Sequence, residues 1–149
     1  MNMEEQYRQI HYYRNHLNEK DVKRLDLDTL ERLIKKVRVY EDAEIIQCLD
    51  QLINEIKLIS KDPKTKKKVY FSKFNELGAL VKTKYGFVAK GTTQSTYLAM
   101  GVAIGTGLGA AFMGSNPAFM GIGIPIGVAI GVALGTSKEK ALEKEDKIY

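Results

Sequence analysis

The side chains of this 149-residue chain that could do chemistry are few and scattered. His11 and His16 stand five residues apart, a spacing that does not bring them together on one helix face. Cys48 is the sole cysteine, so no intrachain disulfide forms, and the usage fits a reducing compartment. No Cys or His pair has the spacing of a zinc site. The carboxylates of the first sixty residues read as solvated helix faces. From Gly91 to Ser137 there is no Asp, Glu, Lys or Arg at all, so that stretch offers no proton relay or charged ion site. Gly105-Thr106-Gly107-Leu108-Gly109-Ala110 has the letters of a dinucleotide fingerprint. It lacks the preceding strand and the acid about 20 residues on. The expectation is a protein that is not an enzyme, with no catalytic residue, no metal and no cofactor.

What the neutral stretch does carry is glycine at four-residue steps. Gly101, Gly105 and Gly109 form one run; Gly123, Gly127, Gly131 and Gly135 form a second. Four-residue steps keep to one face of an α-helix. Glycine strips that face to backbone and lets another helix come close, a means of association in lipid. In a water-exposed helix each glycine would cost about 1 kcal/mol relative to alanine. In lipid the helix forms regardless, because each backbone group must be bonded internally. These seven glycines are the expected helix-packing residues. The ladder either holds one hairpin together or, with leftover faces at Gly107 and Gly121, assembles several. Pro125 falls within the second run, where it removes a backbone hydrogen bond and is expected to kink the helix. Thr106 is placed to bond across helices or back to its own turn.

The elements around this region follow from charge. Residues 1–60 hold 10 basic and 12 acidic side chains, residues 61–90 hold 9 and 2, and residues 138–149 hold 4 and 4. The net +5 therefore comes from one segment beside the apolar stretch. Basic residues there suit anionic lipid better than nucleic acid. Lys64, Lys66, Lys67 and Lys68 are the expected headgroup ligands, with a solvated linker as the alternative. Thr93 to Met113 and Ala118 to Thr136 give 21 and 19 residues, split by Gly114-Ser115-Asn116-Pro117. At ~1.5 Å per residue each is about 28–32 Å long, enough to cross a hydrocarbon core. The turn is uncharged and its flanks carry the basic excess, so both termini are expected in the cytoplasm, with the hairpin in the inner (cytoplasmic) membrane. Met1 to Glu5 shows neither a basic nor an apolar leader, so no secretory signal is expected there.

Upstream, Tyr7, Ile10 and Leu17 have helical spacing, and Asn18 to Asp21 reads as a polar break. Asp28 followed by Glu31 matches a reciprocal N-terminal cap, ahead of a stripe of Leu30, Leu33, Ile34 and Val37. Ile45, Leu49, Leu52, Ile56 and Ile59 form a second stripe out of phase with the first. Either the helix restarts, with Asp42 as cap, or one long helix slips in phase. Val69 to Lys84 reads as a further helix with Tyr70, Phe74, Leu77 and Val81 on one face. Aromatics beside Lys73, Lys82 and Lys84 suit a helix lying in the headgroup zone or the last helix of a soluble bundle.

The run Tyr85-Gly86-Phe87-Val88-Ala89-Lys90-Gly91 precedes the glycine-paced hairpin. With Ile124-Pro125-Ile126-Gly127-Val128-Ala129-Ile130-Gly131-Val132-Ala133-Leu134-Gly135 it resembles small bacterial glycine-zipper membrane proteins over residues 85–140. Similar segments occur in pore-forming toxin domains. The resemblance implies a membrane-inserted, self-associating module. The expected fold class is all-α: a cytoplasmic helical region (1–60), a basic linker and interfacial helix (61–90), a transmembrane glycine-zipper hairpin (91–137) and a charged tail (138–149). The expected partners are membrane lipid, further copies of the chain and a protein bound by residues 1–60, but no nucleic acid. The expected function is a pore-forming or membrane-perturbing effector, with a membrane anchor or assembly factor as the alternative.

Overall fold

The computed structural model describes residues 2–62, 67–112 and 118–149. They form seven α-helices and one 3-10 turn, with no β-strand among the described residues. Two compact units divide the chain: Met1–Phe87 with Tyr149, and Val88–Ile148.

The N-terminal unit starts with α1 (Met3–His16), capped by Asn2, whose side chain accepts from the Glu5 N–H at 2.8 Å. Residues 19–21 of the expected polar break are already helical, and only Asn18 stays outside. It caps a short α2 (Glu19–Leu25), accepting from the Asp21 N–H at 2.8 Å. The chain reverses at Asp26, which has left-handed φ 51°, and α3 (Leu27–Val37) follows. The expected Asp28–Glu31 cap does not form, because α3 begins before it and both carboxylates are drawn to α1: Arg14 Nε lies 2.5 Å from Asp28 and 3.2 Å from Glu31. The open choice at residues 40–44 falls to a restart. A 3-10 turn (Arg38–Tyr40) and Glu41 at φ 45° end the run. Asp42 then caps α4 (Ala43–Lys61), taking the Glu44 and Ile45 N–H groups at 2.9 and 3.3 Å.

Both expected stripes supply the core. Leu30, Leu33, Ile34 and Val37 of α3 and Ile45, Leu49, Leu52, Ile56 and Ile59 of α4 are all buried, as are Ile10 and Leu25, and α1 packs against both α3 and α4. Gln6 is buried too, and its amide bonds the Ile46 carbonyl at 2.8 Å and Asp50 at 2.7 Å, tying α1 to α4. α5 (Lys68–Tyr85) packs against α4 through Tyr70, Leu77 and Val81. The Tyr70 hydroxyl donates to the Leu25 carbonyl at 2.6 Å, and burial pushes the phenol far above its ordinary pKa. Of the two readings of this helix, the apolar face is thus bundle core, and α5 belongs to the N-terminal unit. Gly86, at φ 73°, ends it in the left-handed conformation that glycine adopts without strain.

The second unit is a helical hairpin of α6 (Thr92–Phe112) and α7 (Ala118–Lys144). The turn expected at residues 114–117 lies outside the described residues. α7 runs eight residues past Thr136, so the first part of the expected charged tail is helix. Beneath the hairpin, Val88 donates to the Lys147 carbonyl at 2.9 Å, and the Gly91 N–H donates to Glu139 at 2.8 Å. Charge returns to the chain at these last turns of α7.

Candidate functional site

The ladder glycines meet one another across the α6–α7 interface. Gly101, Gly105 and Gly109 are the buried residues of α6, and Gly127, Gly131 and Gly135 are buried on α7. The register is antiparallel. A Cβ placed on Gly123 would lie 2.5 Å from the Gly105 carbonyl oxygen and 3.0 Å from the Gly109 Cα. One on Gly127 would strike the Gly101 carbonyl and come 2.8 Å from the Gly105 Cα. One on Gly101 would strike the Gly127 carbonyl and lie 2.9 Å from the Gly131 Cα. Nearer the base, a Cβ on Gly131 would lie 2.6 Å from the Tyr97 carbonyl oxygen and one on Gly135 2.9 Å from the Gln94 Cα. Backbone thus faces backbone along the contact, and no methyl group fits. Gly107 and Gly121 do not join it: a Cβ on either meets nothing within 4 Å.

The outside of the hairpin carries the large side chains. Met100, Ile104, Leu108, Phe112, Ile122, Ile126, Ile130 and Leu134 are each more than half exposed. An isolated soluble helix pair would place such surface in water, whereas a bilayer covers it. On one side the walls Ile104–Leu108–Phe112 and Ile122–Ile126–Ile130 border an apolar groove of about 280 Å³, floored by Gly105, Gly109, Gly123 and Gly127. Thr106 donates to the Val102 carbonyl at 2.8 Å, bonding its own turn, not the facing helix. Pro125 is exposed within α7, which continues as helix on either side.

The four expected headgroup lysines divide. Lys64 and Lys66 lie outside the described residues. Lys67 is turned inward, its side chain 9 % exposed and its ammonium 3.1 Å from Asp21. Lys68 is exposed.

One cluster was not legible as such in the sequence. Glu31, expected on a solvated face, is buried with a side chain 7 % exposed. It receives Tyr7 at 3.1 Å, His11 at 3.3 Å, Arg14 at 3.2 Å and Lys35 at 3.2 Å. Burial acts to raise its pKa, but hydrogen bonds from Lys35, His11 and Tyr7 outweigh that and hold it below the ordinary value. The available signal was spacing: residues 7, 11 and 14 share a face of α1, and Glu31 and Lys35 share one of α3. Among the described residues no group of three His, Cys, Asp or Glu is placed to hold a metal.

An antiparallel helix pair, closed glycine to glycine and apolar outside, is a glycine-zipper hairpin. Residues 89–140 match the family model described as glycine zipper membrane protein. Searches of curated proteins and of solved structures return no match. α6 and the stretch Gly121–Lys144 are each long and apolar enough to cross a bilayer. Together with the family match they make this a membrane protein.

Proposed function

We propose that the chain is a non-enzymatic integral membrane protein that self-associates through its hairpins and perturbs the bilayer, at the limit forming a pore. The observation that supports this is the pair of glycines the hairpin does not use. Gly107 and Gly121 sit exposed on its outer surface with open space before them. A side-chain-free patch facing lipid lets the backbone of a neighbouring helix approach. The basic segment before the first span and the uncharged turn favour insertion in the inner membrane with both termini in the cytoplasm. A self-limiting or defence effector suits this design.

The test is expression in bacteria with a potential-sensitive dye. Wild type is expected to depolarise the cells. Gly107→Leu and Gly121→Leu, which clash with nothing inside one hairpin, are expected to weaken depolarisation by keeping hairpins apart. Unchanged potential at high expression overturns the proposal. That outcome favours a membrane anchor whose N-terminal unit recruits a protein partner. One observation favours this second reading: the zipper is already closed within a single copy, while Tyr12, Val39 and Tyr40 stand exposed on the N-terminal unit.

A further inference from the structure

The fold sorts Lys67 and the lysines of α5 into those with an acidic partner and those without one among the described residues. Lys67 pairs with Asp21 at 3.1 Å. Lys73 pairs with Glu76 at 2.8 Å. Lys84 bonds Asp42 at 2.9 Å and Glu44 at 2.6 Å. Lys68 and Lys82 have no acidic partner among the described residues, and both are exposed.

These two share a stripe. Lys68, Phe71, Asn75, Ala79 and Lys82 follow at steps of three and four, all exposed, opposite the Tyr70, Leu77 and Val81 face that packs into the core. The stripe contains no acid. Fourteen helical steps separate its lysines, about 21 Å at the ~1.5 Å rise. Phe71, 40 % exposed, stands between them as the large apolar side chain. A helix face with two unpaired cations, an aromatic ring and no carboxylate complements an anionic, amphipathic surface.

We propose that this outer face of α5, carried by Lys68, Phe71 and Lys82, docks on the anionic lipid headgroups of the bilayer that holds the hairpin. The lysines contact phosphates and the Phe71 ring dips to the acyl boundary. The inference rests on the membrane reading of the hairpin. It assigns to the exposed side of α5 the role that the buried side cannot take. Each lysine lost from such a contact lowers the ratio of docked to undocked α5 roughly fivefold, and salt screens the attraction within about a Debye length.

The chain contains no tryptophan, so Phe71→Trp gives a single-tryptophan protein. The full-length variant is reconstituted in vesicles of neutral phosphatidylcholine, or of phosphatidylcholine mixed with phosphatidylglycerol, and floated on a density gradient. The expected result is blue-shifted emission and quenching by brominated lipid in the anionic vesicles alone. Both are expected to be lost at high salt and in the Lys68→Glu/Lys82→Glu background. Ala79→Trp on the same stripe reports independently should position 71 disturb folding. Tyr12→Trp, at an exposed position of α1, is the control expected to stay water-accessible in both vesicles. Protein that floats with the vesicles while residues 71 and 79 remain equally open to acrylamide in both lipids overturns the docking face alone. Protein that fails to float overturns the membrane reading as well.

Discussion

At the scale of residues, the N-terminal unit depends on carboxylates whose charged forms the fold prefers. The hydrogen bond from Lys84 holds Asp42 down to about 2, below its ordinary 3.8; partial burial opposes this, and Tyr85 with the α4 N–H groups adds to it. Glu31 is likewise depressed by Lys35, His11 and Tyr7 against the opposing effect of burial. A carboxyl lowered on folding contributes stability above its unfolded value, and that contribution is lost as pH falls through the folded one. Thermal melts of the protein in detergent, followed by circular dichroism, are therefore expected to hold steady above about pH 5 and to drop between roughly pH 4.5 and 2. Asp42→Asn should flatten part of that decline. Glu31→Gln should lower stability at pH 7 by about 2 kcal/mol, because Arg14 and Lys35 lose a buried counter-charge. Equal melts at pH 7 and pH 3 would remove Glu31 and Asp42 from this role.

Among elements, α6 and α7 are held at backbone contact. Leucine at position 127 would have to displace the Gly101 carbonyl and the Gly105 Cα, so the two helices must part by several ångströms. Spin labels at exposed Met100 and Val132, in a Cys48→Ser background, read the separation by pulsed electron resonance. Gly127→Leu is expected to lengthen and broaden the distance. Gly107→Leu, with open space before it, is expected to leave it unchanged. An unmoved distance in Gly127→Leu would mean that the glycines do not set the approach of the helices. The upstream elements obey more local rules. Asn2, Asn18 and Asp42 each start a helix by accepting backbone N–H groups, and Gly86 stops one.

For the molecule as a whole, the two units answer to different solvents. The N-terminal unit hides its aliphatic stripes in a core, whereas the hairpin turns its aliphatics outward and hides its glycines. That inversion is the pattern expected of a segment surrounded by hydrocarbon. After alkaline carbonate washing of membranes, the chain is expected in the pellet with integral proteins. Recovery in the supernatant would place the hairpin on the surface or in water. In the same fractionation, replacing Gly127 by leucine should leave the chain in the pellet, because insertion follows from hydropathy and the zipper acts only after it.

Much of this organisation is written in local pattern. The hairpin, its glycine faces and the two aliphatic stripes follow from periodicity and composition, because helix geometry maps residue spacing directly onto faces; the restart at Asp42 is one of two readings that such pattern leaves open. Asp28 and Glu31 show where such reading stops: they have the spacing of a cap, yet serve α1, since a carboxylate takes whichever cations the packing brings nearest. Which glycine opposes which, the inward turn of Lys67 to Asp21, and the sorting that leaves Lys68 and Lys82 without an acidic partner among the described residues were decided only when helices distant in sequence came together. Pairings of that kind depend on the register and angle between helices, and no single helix encodes either.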